Sequence, residues 1–203
     1  SMNIQNELLI NYKEESKFVG YDVLENTTKI ITLIKDNKFV DSITDNGYVV
    51  LEETPFYAES GGQVADTGYI MTDIMNAKVL DVIKAPNGQH LMFIEVINGT
   101  LSTGMEVKTS VDKQKRLDTC KNHSSVHIIQ KTLQELLSDS VHQAGSKVDE
   151  NTFRFDFTYQ GKLSDEIILD VERRANERVN MAVDTKIEIM PLNDAIKLGA
   201  MAL

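Results

Sequence analysis

Thr28-Lys29-Ile30-Ile31-Thr32-Leu33-Ile34, Lys38-Phe39-Val40-Asp41-Ser42-Ile43 and Tyr48-Val49-Val50-Leu51-Glu52-Glu53 decide the fold of the first half of this chain. Each run is short and rich in β-branched and aromatic residues, which pack well on a pleated surface. Between them stand Asp36-Asn37 and Asp45-Asn46-Gly47, and Pro86-Asn87-Gly88 separates two further runs, Ala77–Ile83 and Leu91–Ile97. Asn and Gly tolerate the positive φ of tight turns, so at least two of these links are expected to be hairpins. Successive strands with no helix between them predict a small antiparallel barrel.

The period then changes. From Asp112 to about Ser138 the apolar residues Val126, Ile129, Leu133, Leu136 and Leu137 recur at three- and four-residue steps, predicting a long helix with one buried stripe. Phe153, Phe155 and Phe157 alternate with Arg154 and Asp156, as in a strand. Ser164, followed by Asp165 and Glu166, suits the N-cap of a helix whose stripe is Ile168, Val171, Ala175 and Val179. Lys186–Met190 reads as another strand, and Pro191 opens a last helix reaching Gly199. The expected class is α+β: a barrel over residues 1–104, a boundary near Gly104 without a flexible linker, then helices packed on an antiparallel sheet over residues 105–203.

The chain has 203 residues, 41% of them hydrophobic and 26% charged, an ordinary globular composition rather than a disordered one. No apolar run approaches the roughly 18 residues of a membrane span. The polar start at Ser1-Met2 resembles an expression scar and not a signal peptide. The single Cys120 excludes an intrachain disulfide and suits the cytoplasm. The formal charge of −10 argues against a broad nucleic-acid surface, DNA included. Between Glu106 and Lys131, however, six basic residues (Lys108, Lys113, Lys115, Arg116, Lys121 and Lys131) face three acidic ones. That segment suits either a short RNA end or a solvated helix face.

Three motifs can carry chemistry. His123 and His127 lie one helical turn apart on the same side of the long helix, at the margin of its apolar stripe. The spacing is that of a zinc half-site, and equally that of two structural histidines. Cys120 is on the same side of the helix, but three ligands from one helix close a tetrahedron poorly, so a small buried residue is expected there. His90 and His142 are isolated in sequence. The second motif, Thr54-Pro55-Phe56-Tyr57-Ala58-Glu59-Ser60-Gly61-Gly62-Gln63 with Asp66-Thr67-Gly68 behind it, offers paired glycines for close backbone approach or merely a turn. The third, His142-Gln143-Ala144-Gly145-Ser146, reads as a polar loop after the helix.

In this order, together with Phe18-Val19-Gly20-Tyr21, Asn122-His123-Ser124-Ser125-Val126-His127, Arg154-Phe155-Asp156-Phe157 and Gly199-Ala200-Met201-Ala202-Leu203, the motifs resemble the alanyl-tRNA synthetase family over almost the whole chain. The resemblance implies a β-barrel followed by an editing domain that hydrolyses tRNA(Ala) mischarged with serine or glycine, with the tRNA 3′ end as partner. It implies His123 and His127 as the first two zinc ligands, Gln143 lining the pocket, and Gly61, Gly62 and Gln63 facing it. The family's other ligands belong to a downstream Cys-x-x-x-His segment that this chain lacks, so zinc is expected to bind weakly or not at all and the fragment to be inactive. ATP and Mg would belong to an aminoacylation domain before Ser1. Val126 stands where the family usually carries threonine. The alternatives are a free-standing trans-editing deacylase, or a tRNA-docking module with structural histidines. Threonyl-tRNA synthetase shares the histidine motif but not the Phe56–Gln63 segment.

Overall fold

The structure, a computed structural model, describes residues 7–10, 12–138, 140–181 and 190–198. The chain divides into two compact units, Ser1–Asn122 with Lys147–Phe153 and His123–Ser146 with Arg154–Leu203.

Among the described residues up to Asn122 there are eleven strands: β1 (Lys17–Phe18), β2 (Glu25–Lys35), β3 (Lys38–Val40), β4 (Ser42–Ile43), β5 (Asn46–Leu51), β6 (Glu53–Thr54), β7 (Gly68–Met71), β8 (Asn76–Lys84), β9 (His90–Asn98), β10 (Leu101–Ser102) and β11 (Glu106–Val111). Six of them form the series β11-β7-β8-β9-β5-β2, every neighbouring pair antiparallel, and β11 pairs back onto β2 so that the barrel closes. Closure leaves no free edge among those six. Register shifts at Ile30/Thr32 in β2 and at Val79/Asp81 in β8 supply the local bending that a small barrel needs.

Of the three links that carry turn signals, of which at least two were expected to be hairpins, those at Asp36-Asn37 and Asn87-Gly88 are hairpins. Asp36 and Asn37 take φ of 49° and 60° between β2 and β3, as a two-residue type I′ link demands. The Ala85 N–H donates to the Gln89 carbonyl between β8 and β9. Asp45-Asn46-Gly47 differs: Asn46 and Gly47 already pair in β5, against Glu95 and Ile94. Ser42-Ile43, read as the end of a longer run, forms β4 and pairs with β10. The strand after Gly104 is the sixth barrel strand, so the barrel continues past the expected boundary.

Apolar side chains from alternate positions fill the barrel, among them Ile30, Leu33, Val49, Ile70, Val79, Met92 and Ile94. Phe56 joins them at 0% exposure, and burying such a ring contributes about 1.5–3 kcal/mol. The aromatic of the Thr54–Gln63 motif is thus a core anchor, which fixes where the rest of that motif emerges.

The long helix, Lys113–Leu136, starts in the first unit and continues into the second. The Asp112 carboxylate caps its start, accepting from the Lys115 N–H at 3.0 Å. Val126 and Leu133 are buried as expected, while Ile129, Leu136 and Leu137 are half-buried. β12 (Gln143–Val148) and β13 (Phe153–Phe157) form a two-stranded sheet. The stretch read as a polar loop from His142 to Ser146 is therefore strand from Gln143 onward. Phe155 and Phe157 stack with centroids 5.8 Å apart, the same-face pairing that the alternation predicts.

A second helix, Asp165–Val179, is capped by Ser164, whose hydroxyl accepts from the Ile167 N–H at 3.3 Å. Of its expected stripe only Ala175 is buried; Ile168 and Val179 are 49% and 53% exposed. Arg178 ties this helix to the long one, donating to Thr132 Oγ1 at 2.9 Å and to the Glu135 carboxylate at 2.5 Å. A short helix covers Leu192–Lys197 behind Pro191. The expected strand at Lys186–Met190 falls, but for Met190, outside the described residues, as do Gly199–Leu203. The α+β class holds: a closed antiparallel barrel with helices packed on sheet.

Candidate functional site

The glycine-rich loop is a lobe that leaves the barrel at Thr54 and returns at Asp66. Thr54 is buried, and its hydroxyl accepts from the Phe56 N–H at 3.2 Å. At the base, the Asp66 N–H donates to the Tyr57 carbonyl at 3.1 Å, and the Tyr57 N–H donates to Asp66 Oδ2 at 2.7 Å. At the apex, Ser60 and Gln63 exchange both backbone hydrogen bonds around Gly61 and Gly62. Those two glycines have φ of 58° and 81°, a two-residue turn that L side chains enter with strain. Nothing lies within 4 Å of a Cβ built on Gly61, so its glycine answers to the backbone and not to crowding.

Gln63 is buried and pairs with Val148 of β12 through the backbone. The Val64 N–H donates to the Val148 carbonyl, and the Val148 N–H to the Gly62 carbonyl, at 3.0 and 2.8 Å. Gly61 and Gly62 offer an accessible backbone surface, whereas the Gln63 side chain is packed.

Behind the lobe is an ion pair that the sequence did not announce. Arg116, in the first turn of the long helix, grips the Asp66 carboxylate with Nε (2.9 and 3.1 Å) and Nη2. Its Nη1 donates to the Gly20 carbonyl at 2.7 Å and Nη2 to the Pro55 carbonyl at 3.0 Å. The side chains of Arg116 and Asp66 are only 13% and 6% exposed. Burial works against the guanidinium charge, but the hydrogen bonds and charge of Asp66 outweigh it and the Arg116 pKa rises. Gly20 is required here by space, because a Cβ on it would lie 2.2 Å from the Pro55 oxygen. Arg116 was legible only as one of several basic residues, and Asp66 only as the tail of a motif. Their separation of 50 residues hides the pair from any local pattern.

Elsewhere the basic segment is partly neutralised. Lys113 pairs with Glu25 at 3.0 Å, and Lys121 with Asp118 at 3.5 Å. Cys120, expected to be buried, is exposed, since it faces away from the stripe that Val126 and Leu133 follow. Partial desolvation raises its thiol pKa.

In the second unit His123 and His127 face each other with ring centroids 5.1 Å apart and planes inclined by 26°. His123 is half-buried and His127 exposed. Burial, then the charge of His127, lowers the His123 pKa and keeps its imidazole neutral at pH 7, the form that binds metal. No cluster of three or more His, Cys, Asp or Glu side chains suited to a metal exists among the described residues. The pair fits one half of a tetrahedral set. Gln143 opens β12, and its Nε2 donates to Ser146 Oγ at 2.9 Å, which directs Oε1 as an acceptor. Thus Gly61, Gly62 and Gln63 meet in one turn of the first unit, and His123 and His127 form one pair in the second.

Comparison with known proteins bears on these motifs. The family model described as tRNA synthetases class II (A) matches residues 1–115, more than half of the chain. The chain is 45% identical over 205 residues to an alanine–tRNA ligase of Listeria innocua, with all of this chain and 23% of that protein aligned. The chain belongs to the alanine–tRNA ligase family of class II synthetases. Alanine–tRNA ligases of Staphylococcus saprophyticus and Bacillus cereus, at 43% and 38% identity, align over the same 100% of the chain and 23% of their own lengths. The chain therefore spans about a quarter of the family members it matches. No described helix is long and apolar enough to cross a membrane.

Proposed function

We propose that this part of an alanine–tRNA ligase serves editing, the hydrolysis of the ester that joins a wrong amino acid, serine or glycine, to the 3′ end of tRNA(Ala). The observation that carries the reading is the facing pair His123 and His127, with His123 held neutral, in a chain of this family. A zinc ion on the two imidazoles would supply positive charge to polarise the ester carbonyl. The chain's own residues do the rest. Gln143, turned by Ser146, presents an amide oxygen to the amino group of the misplaced residue. The Gly61-Gly62 turn gives the nucleic-acid backbone a surface without side chains. Two histidines are half of a tetrahedral set, and the family resemblance implies that the remaining ligands come from a Cys-x-x-x-His segment elsewhere in the ligase. The 203-residue chain alone should then hold zinc weakly. This reading implies a cytoplasmic protein, and it assigns ATP and Mg to the aminoacylation reaction of the whole ligase.

The test is release of serine from Ser-tRNA(Ala) by the full-length ligase with and without a chelator. We expect hydrolysis to stop on zinc removal and in His123→Ala, with tRNA binding retained. Hydrolysis indifferent to both changes would leave the second reading, a docking module with structural histidines.

A further inference from the structure

The first unit has an open cleft of about 870 Å³ that neither the histidine pair nor the glycine turn touches. Three carboxylates, Glu15, Glu52 and Glu53, line it against a single ammonium, Lys17. All four side chains are exposed, and among the described residues none of the three carboxylates makes an ion pair. The wall that carries them is fixed by backbone pairing. β1 runs parallel to β6 with Lys17 opposite Glu53, and the Lys17 N–H donates to the Glu52 carbonyl at 2.9 Å. The Ser16 hydroxyl donates to the Leu51 carbonyl at 2.6 Å, and the Glu53 N–H to Thr28 Oγ1 at 2.9 Å. A second, independent observation comes from Gln89, which also lines the cleft yet is only 8% exposed. Its Nε2 donates to the Glu14 carbonyl, which fixes the amide and leaves Oε1 as the spare acceptor. That oxygen is buried with no hydrogen-bond partner. Buried acceptors are nearly always paired, so this one calls for a donor.

We infer that the cleft lined by β1, β6 and the β8–β9 turn binds a linear aliphatic polyamine. An excess of three carboxylates over one ammonium repels an anion. A single metal ion needs its ligands within about 2.0–2.6 Å of one point. No three His, Cys, Asp or Glu side chains among the described residues converge in that way. An aliphatic ammonium suits the lining better. It carries N–H donors for an amide oxygen and for carboxylates alike, and it stays charged at neutral pH as lysine does. The ring of Phe18, also in the lining, favours a cation near its face. Several ammonium groups along one flexible chain can serve carboxylates that do not converge, whereas a monoamine meets one of them at a time. The site lies wholly within the first unit and owes nothing to the editing reading. Its occupant also offsets part of the formal charge of −10, which otherwise repels a polyanion such as tRNA.

The test is a titration of the isotope-labelled 203-residue chain with spermidine, followed by backbone amide shifts. The shifts should saturate at one spermidine per chain and centre on residues 15–18, 52–53 and 87–89. Residues 44–46 and 95 line another open, acidic cleft without an orphan acceptor, and they should move little. Gln89→Leu should weaken binding about tenfold, as loss of a hydrogen bond to a charged group does. The double variant Glu52→Gln, Glu53→Gln should weaken it at least as much. Lys17→Gln, which removes the competing cation, should tighten binding about two- to fivefold, the scale of an exposed charge pair. A misfolded variant cannot produce that gain, so the prediction survives a Gln89→Leu chain that fails to fold. Butane-1,4-diamine should bind more weakly than spermidine, and Mg²⁺ at equal charge should not reproduce the shifts. Equal shifts at the two clefts, the same response to Mg²⁺, or a Lys17→Gln chain that binds no tighter than wild type overturns the inference.

Discussion

Replacing Arg116 with leucine removes the cation and keeps most of the apolar stem. The Asp66 carboxylate, 6% exposed, would then keep one backbone donor, the Tyr57 N–H, and lose its only ion-pair partner among the described residues. Breaking a buried pair by removing one partner costs about 3–5 kcal/mol, because the remaining charge is uncompensated. Exposure of 13% and 6% leaves little room for solvent screening, so the loss should reach at least the lower end of that range, about 3 kcal/mol. With a urea m-value of about 2–3 kcal/mol/M, the unfolding midpoint should fall by about 1 M. The assay is urea denaturation followed by tyrosine emission. The chain has no tryptophan, and five of its six tyrosines (Tyr12, Tyr21, Tyr48, Tyr57 and Tyr69) belong to the first unit, with Tyr159 alone in the second, so the signal follows mainly the barrel. Pairing Arg116→Leu with Asp66→Asn removes the orphaned charge and should recover about half of the loss, since the two sites are strongly coupled. A single-variant loss under about 1 kcal/mol would refute the reasoning, for that is the range of an exposed pair.

Acidification should destabilise the fold, because burial lowers the pKa of both His90 and His123. A depressed histidine takes up more protons unfolded than folded, so the stability it contributes is full above about pH 6.5 and is lost as pH falls through the folded value. Melting temperature should drop between pH 7.5 and 5, less steeply in His123→Gln; a flat profile contradicts the assignment. Gly61→Ala should cost about 1 kcal/mol for forcing φ of 58° on an L residue, while Gly61→Asn should cost less, as asparagine visits that region readily. Equal costs from chemical denaturation would mean that the turn relaxes. Ser164→Ala should cost about 1 kcal/mol by leaving the Ile167 N–H without its cap, read as lost far-UV helicity; an unchanged melt would show that water replaces the hydroxyl.

Much of the barrel was legible because strand and turn chemistry are local. β-Branched runs at 28–34 and 48–53 became β2 and β5, and Asp36-Asn37 made the hairpin it signals. Asp45-Asn46-Gly47 looked alike but was drawn into β5, because pairing with β9 offered its backbone more than a turn would. β7, four residues long, and β11, whose lysine, threonine and serine resemble a polar surface segment, gave no clear local signal. The capped helix was predicted from Ser164, yet its stripe lies half open: periodicity marks a face but not what covers it.

The site divides along the same line. Spacing alone placed His123 and His127 on one face of a helix, since the 3.6-residue period is a property of the backbone. Spacing also set the positive-φ turn at Gly61-Gly62, since only glycine enters it without strain. Tertiary structure decided what those motifs rest on: the closure of β11 onto β2, the burial of Gln63 against β12, and the grip of Arg116 on Asp66. Each of these joins residues far apart in the chain, where no local preference acts and only the packed barrel and helix bring the partners together.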